Sequence, residues 1–202
     1  MDLARFDTLI FDFGGVILDI NPDLSRKKFA EMLGSENAKQ LELQQVPQTY
    51  ERGDINRNEF VHKINQIAKT NYSAEEILTA WNAMLLHYQP QRIEWIKRLR
   101  KTHKLLMLSN TNDAHFEFFH TKLQAEYGVT FYDLFDHVYL SNEMHLLKPS
   151  LEIFQTVIDE QKLNPQRTLF IEDTKENTEA AQKVGLQTLL IPRNSNFFKF
   201  FD

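Results

Sequence analysis

The sequence has 202 residues, of which 42% are hydrophobic, 12% aromatic and 25% charged, and this content predicts a folded chain with one core and a modest second unit. The net charge is -5, and the sequence contains no run of Lys or Arg residues. Both features argue against a nucleic-acid partner. The lack of cysteine excludes disulfides and thiolate metal sites, and no apolar run approaches the roughly 20 residues that span a bilayer.

From the composition and the polar N-terminus we expect a cytoplasmic protein with no membrane partner. Residues 8–13 predict the first β-strand, because they are apolar and rich in Leu, Ile and Phe. The next such run begins only at residue 105. Between them the pattern is helical: Pro22 is a start signal, and Asn56 to Glu59 and Ser73 to Glu76 form capping boxes.

Behind these start signals, apolar residues repeat at helical spacing: Phe29, Met32 and Leu33; Phe60, Ile64 and Ile67; and Ile77, Trp81, Met84 and Leu85. Residues 18–89 are therefore predicted to form a small all-helical cap, inserted after the first strand. The core is predicted to consist of residues 1–17 and 90–202.

The rest of the chain alternates strands and helices. Further strands are predicted at residues 105–109, 137–141, 168–172 and 187–191, with amphipathic helices between several of them. Short apolar runs of this kind are typical of strands buried on both faces of a parallel sheet. The fold class is predicted to be α/β, with a Rossmann-like three-layer core.

Polar side chains follow four of the predicted strands. The first ends in Asp12, followed by Phe13, Gly14 and Gly15; the others lead to Ser109-Asn110, to Lys148 and to Glu172-Asp173. In open parallel sheets, ligands bind beyond the carboxyl ends of the strands. A carboxylate, a hydroxyl, an ammonium group and an acidic pair are thus predicted to meet at one edge.

The four segments FDFGGV, LLMLSN, LLKPS and FIEDTKEN, in this order, resemble the motifs of the haloacid dehalogenase superfamily. The resemblance covers essentially the whole chain. DFGGVILDI, ERGDI and LSNTN are most similar to the capped bacterial sugar-phosphate phosphatases, a branch that includes α-glucose-1-phosphate phosphatase. This resemblance implies a Rossmann-like hydrolase that acts on a small phosphorylated substrate.

A carboxylate attacks a phosphoryl group only where a cation neutralises the site, and Mg²⁺ prefers such hard oxygen ligands. Asp12 is the predicted nucleophile and also a metal ligand. Asp173 is predicted to bind Mg²⁺ directly, and Glu172 either directly or through a metal-bound water. The resemblance adds the backbone carbonyl of Gly14 as a ligand, and Asn177 is expected to orient these groups.

Several other positions are predicted to hold phosphate or substrate. Ser109 and Asn110 end a strand before a helix, and the resemblance implies that Lys148 neutralises the nucleophile and the phosphate. Gly14 and Gly15 permit the backbone to approach an anion. In the cap, Glu51 and Arg52 lie in a polar Glu-Arg-Gly loop, where Arg52 either binds substrate or lies on the surface.

Gly14 departs from the family pattern, which has a general acid–base Asp at that position. General acid–base help is worth about 10²–10⁴-fold. Either the substrate has a good leaving group, such as a sugar anomeric oxygen, or a cap residue or water supplies the proton.

The sequence therefore predicts a Mg²⁺-dependent phosphatase, of which a hexose 1-phosphate is one possible substrate, acting through an aspartyl-phosphate. Two alternatives stay open: a 2-haloacid dehalogenase, and a phosphate-binding regulatory module weakened by Gly14. The protein is expected to be a monomer or a homodimer. The aromatic stretch Asn196 to Phe201 is expected to dock on the core or to form a dimer contact.

Overall fold

The computed structural model describes residues 1–193 and 195–201. The strands in that part of the chain are β1 Thr8–Phe11, β2 Leu18–Ile20, β3 Leu85–Tyr88, β4 Lys104–Ser109, β5 His137–Leu140, β6 Thr168–Glu172 and β7 Gln187–Leu190. The α-helices are α1 Pro22–Leu33, α2 Ser35–Leu43, α3 Val46–Glu51, α4 Arg57–Ala68, α5 Ala74–Asn82, α6 Pro90–Leu99, α7 Asp113–Tyr127, α8 Phe131–Leu134, α9 Ser141–Met144, α10 Leu151–Gln161 and α11 Lys175–Lys183.

Five strands form a parallel sheet in the order β5-β4-β1-β6-β7, which confirms the predicted fold class. β1 is central and fully buried, with β4 on one side and β6 on the other. The residue that follows β1 therefore lies between the ends of two neighbouring strands. That residue is Asp12.

The sheet is covered on both faces because successive side chains of a strand point to opposite sides. Leu9 and Phe11 of β1 belong to one apolar cluster, together with residues of α6 and α7. Ile10 belongs to a second cluster, together with residues of α10 and α11. These two clusters give the core the three layers that the alternating strands and helices predicted.

Helices α1 to α5 pack around an apolar cluster of their own, which contains Phe29, Tyr50, Phe60 and Trp81. Both predicted capping boxes are confirmed. The Asn56 side chain accepts from the backbone N–H of Glu59, whose carboxylate accepts from the backbone N–H of Asn56, and Ser73 and Glu76 make the same reciprocal pair. The helical character of residues 22–82 thus follows from local signals.

The structure differs from the prediction at both ends of the insertion. Leu85, expected on a helix, lies in β3, because α5 ends at Asn82. β3 pairs with β2 as a two-stranded antiparallel ribbon, and the backbone N–H of Asn21 donates to the carbonyl of Met84 beyond it. The division at residues 17/18 and 89/90 stays a prediction.

The aromatic stretch near the C-terminus packs on α6, as predicted for docking on the core. The rings of Phe197, Phe198 and Phe201 lie 5.3, 6.1 and 4.5 Å from the ring of Trp95, centroid to centroid. A dimer contact by this stretch stays a prediction. Among residues 1–193 and 195–201, no helix has the length and apolar character required to cross a membrane.

Candidate active site

Asp12 and Lys148 form the centre of the site. Lys148 Nζ donates to Asp12 Oδ1 at 2.6 Å, to Glu172 Oε2 at 2.8 Å and to the carbonyl of Leu108 at 3.0 Å. The side chain of Lys148 is 1% exposed, so these contacts are shielded from water. Three of the predicted site residues, from positions 12, 148 and 172, are thus brought together.

The charges in this cluster oppose one another. Burial alone would lower the pKa of Lys148, but the negative charges of Asp12 and Glu172 outweigh it, and the pKa lies above its usual value. Burial, and next the charge of Glu172, raise the pKa of Asp12 well above the usual value for a carboxyl group. A single ammonium group does not offset the carboxylates that surround it, so a further cation would stabilise the site.

Glu172 is fully occupied by hydrogen bonds. Its Oε1 accepts from the backbone N–H groups of Asp173 and Thr174 at 2.9 and 3.1 Å. Its Oε2 accepts from Lys148 and, at 2.9 Å, from Nδ2 of Asn177. This carboxylate holds the Lys148 ammonium in place, and Asn177 holds the carboxylate.

Asp173 lies beside this cluster, and its side chain is 2% exposed. Oδ1 accepts from the hydroxyl of Thr174 at 2.9 Å, and Oδ2 forms an ion pair with Nε of Arg193. The sequence analysis missed Arg193. The signal that would have found it is its position two residues after Ile191, beyond the carboxyl end of β7.

Asp12, Glu172 and Asp173 are close enough to share one cation. Each offers a carboxylate oxygen, and the three oxygens lie within 4.8 Å of one another. Hard oxygen donors in such a cluster are the ligand type that Mg²⁺ prefers. The donor set therefore fits a magnesium ion.

The side chains of Ser109 and Asn110 differ in whether they already form hydrogen bonds within the protein. Among the described residues, none forms a hydrogen bond with the Ser109 hydroxyl, although the residue is 3% exposed. The Asn110 amide is occupied: Nδ2 donates to the Lys148 carbonyl and Oδ1 accepts from the Lys148 N–H, both at 2.9 Å. Asn110 thus fixes the backbone that carries Lys148, a role the sequence analysis did not assign.

The Glu51–Gly53 turn rests on the same sheet edge. Ser141, the residue after β5, donates from its hydroxyl to the carbonyl of Glu51 at 2.6 Å. The Arg52 side chain is bound to Asp54 at 2.7 Å and is 46% exposed. The described contacts do not join Arg52 to Asp12 or Lys148, so its substrate contact stays a prediction.

The two glycines after Asp12 have different constraints. Gly15 has a φ of +88°, and a Cβ there would lie 2.1 Å from Oδ2 of Asp173. Gly14 does not adopt a positive φ, and a Cβ there would lie 3.1 Å from the flexible end of Ile20. Only Gly15 is required by the local geometry.

Gly15→Ala is therefore expected to displace Asp173 and to cost about 3 kcal/mol or more of folding stability. Gly128→Ala is the matched control, because Gly128 adopts the left-handed α conformation with a φ of +65° and no atom of the described residues lies within 4 Å of the added Cβ. The control is expected to cost only about 1–2 kcal/mol, for the backbone conformation alone. Urea denaturation measures both, and equal losses would contradict the close approach at Gly15.

The family model described as haloacid dehalogenase-like hydrolase matches residues 9–191. A D-ribitol-5-phosphate phosphatase from Bacteroides thetaiotaomicron is 28% identical over 183 residues, 89% of this chain and 89% of that protein. A sesquiterpene phosphatase from Aspergillus oryzae is 27% identical and spans 91% of this chain and 88% of that protein. A HAD family enzyme from Bacteroides thetaiotaomicron, crystallised with magnesium and inorganic phosphate, superposes with a TM-score of 0.91 at 26% identity, covering 98% of this chain and 100% of that one.

Proposed function

Because this chain belongs to the haloacid dehalogenase-like hydrolases and is a phosphatase of that family, we propose that it hydrolyses a small phosphorylated metabolite with Mg²⁺ and with Asp12 as nucleophile. The observation that carries the proposal is the buried contact of Lys148 with Asp12 and Glu172 beside Asp173. This arrangement combines a nucleophilic carboxylate with a fixed positive charge and with ligands for a second one.

Asp12, Asp173 and the carbonyl of Gly14 would hold the metal ion. Glu172 is less suited to bind it directly, because both of its oxygens already accept hydrogen bonds. It would instead position Lys148 and a water on the metal. When bound, Mg²⁺ supplies positive charge that offsets the repulsion between the carboxylate and the phosphate.

The reaction has two steps. An oxygen of Asp12 forms a bond to phosphorus while the bond to the leaving-group oxygen breaks, which gives an aspartyl-phosphate. Lys148 holds Asp12 in position, and the unpaired hydroxyl of Ser109 is available to a phosphate oxygen. Water then attacks phosphorus and releases Asp12 and inorganic phosphate.

The substrate class is supported by the relatives and by the site. One relative is named as a phosphatase of a pentitol phosphate and another as a sesquiterpene phosphatase. The leaving group therefore differs among similar proteins. A hexose 1-phosphate, whose anomeric oxygen is a better leaving group than an ordinary alkoxide, remains part of the proposal because of Gly14. The partner is a small molecule that carries a phosphate group.

A screen of phosphorylated metabolites tests the proposal. With Mg²⁺ we expect phosphate release from at least one sugar or polyol phosphate in a panel that includes both anomers of hexose 1-phosphates and a pentitol 5-phosphate. EDTA should abolish the release and added Mg²⁺ should restore it. Halide release from a 2-haloacid without Mg²⁺, or phosphate binding without turnover, would overturn the proposal in favour of a dehalogenase or a regulatory module.

A further inference from the structure

The proposed reaction leaves one proton without a source. When the bond from phosphorus to the leaving-group oxygen breaks, that oxygen takes the electron pair and needs a proton, and Gly14 has no side chain to supply it. We propose that Glu51, from the helical insertion, donates this proton to the leaving-group oxygen. The inference rests on the proposed phosphatase function and assigns a catalytic residue to the same site.

Glu51 is fixed at the carboxyl edge of the sheet. Its carbonyl accepts from Ser141, which follows Leu140, the partner of Ser109 in the β4–β5 register. Two residues on, Gly53 packs so closely on the carbonyl of Asn142 that a Cβ would lie 2.1 Å from that oxygen. The turn that carries Glu51 is therefore seated one strand away from the proposed phosphate-binding hydroxyl.

The anchor of this turn lies near the nucleophile. β5 and β1 are separated by β4, so Ser141, whose hydroxyl binds the Glu51 carbonyl, follows a strand end that lies two strand spacings, about 10 Å, from the end that carries Asp12.

The Glu51 carboxyl group is available for this role. Among the described residues, none forms a hydrogen bond or ion pair with it. It lines a cavity of about 580 Å³ within the insertion, together with Ser25, Val46, Trp81 and Met84. Burial raises the pKa of Glu51 to about 7, so the acid form is present near neutral pH, where a general acid is most effective.

The charged groups that share this cavity are Arg26 of α1 and Lys39 and Glu42 of α2, while α4 and α5 contribute only apolar side chains. Arg26 is bound to Glu42 at 3.1 Å. Three other acids on or beside the insertion are paired: Asp19 with Arg92, Asp54 with Arg52, and Asp113 with Arg57. Glu51 thus combines an unpaired carboxyl group with a place at the sheet edge.

The proton balance closes over the two steps. In the first step the Glu51 carboxyl gives its proton to the leaving oxygen and becomes a carboxylate. In the second step water attacks from the side that the leaving group has vacated, and Glu51 takes a proton from it. The bond between phosphorus and Asp12 then breaks, and both residues return to their starting states.

Glu51→Gln tests the inference through the leaving group. With saturating Mg²⁺, kcat/KM for an alkyl phosphate found in the screen is expected to fall about 10²–10³-fold. For p-nitrophenyl phosphate, whose leaving group needs no proton, it should change less than about 3-fold. In the wild type, kcat/KM for the alkyl phosphate should fall as the pH rises above about 7, since the acid form is lost, and in the variant this limb should disappear. Glu75→Gln, at an exposed acid in the first turn of α5, is the matched control and should change neither substrate.

A second experiment introduces an acid at position 14. Gly14→Asp is chosen because a Cβ there would lie 3.1 Å from the flexible end of Ile20 and the φ of Gly14 is not positive. In the Glu51→Gln background it should recover at least about 10-fold of the alkyl-phosphate activity. Equal losses on both substrates, or none, would overturn the role of Glu51 while leaving the phosphatase proposal intact. Failure of the proposed function would show differently, as a wild type that does not hydrolyse either substrate.

Discussion

Asp12→Asn is expected to lower kcat by about 10⁴–10⁶-fold while the fold is retained. The amide has nearly the same shape as the carboxylate and can still accept a hydrogen bond from Lys148, but it is not a nucleophile toward phosphorus. It also removes one negative charge beside Glu172 and Asp173, both of which raise the pKa of Asp12. The apparent Tm in EDTA should therefore stay within about 5 °C of the wild-type value.

Two measurements test this prediction: the rate of phosphate release, and mass spectrometry of the enzyme after the reaction is quenched with acid. A phosphoryl group should be found on the peptide that contains Asp12 in the wild type and be absent from the variant. Asp159→Asn, at an exposed carboxylate that accepts from Gln155, is the control and should keep full activity. Activity of the Asp12 variant within about 10-fold of wild type would mean that another group attacks phosphorus.

Lys148→Met is expected to destabilise the protein by about 3–5 kcal/mol in EDTA and to lower kcat by about 10²–10³-fold. The ammonium is the shared partner of Asp12 and Glu172, and both carboxylates are buried. Its removal leaves two buried carboxylates without their shared positive charge. Urea denaturation gives the stability, and Mg²⁺ should recover part of the loss because the donor set can bind a cation in its place.

Lys175→Met is the matched control for this variant. Lys175 pairs with Glu179 at 3.3 Å, but the two side chains are 72% and 54% exposed, so the change should cost less than about 1 kcal/mol. If both lysine variants lost the same stability, the buried cluster would not be the source of the effect. If the Lys148 variant lost stability but kept its kcat, the ammonium would be structural rather than catalytic.

Much of the fold was predictable because its signals are local. Each core strand is a short apolar run, and Asn56 and Ser73 begin helices whose reciprocal cap contacts can be recognised from a four-residue pattern. The site motifs were predictable for a related reason. In a parallel sheet, the position of a residue at a strand end fixes where its side chain lies, as for Asp12 and Glu172.

Two other contacts at the site were not predictable. The Asn110 amide binds the Lys148 backbone, and Arg193 reaches Asp173, because of how separate loops meet after β4, β5 and β7. The β2–β3 ribbon was missed for a different reason. Strands of 3 and 4 residues are too short to show an alternating pattern, and the apolar Leu85 continued the helical spacing of α5.

The β2–β3 ribbon ties the two connections of helices α1 to α5 to each other. Because Leu18 and Ile20 pair with Tyr88 and Leu85, any rotation of these helices against the sheet must bend both connections at once. Asp19 also accepts from Arg92 of α6 at 2.8 Å, so one of the two connections is bound to the core. The contact between the Ser141 hydroxyl and the Glu51 carbonyl would have to break before these helices could rotate away from the sheet.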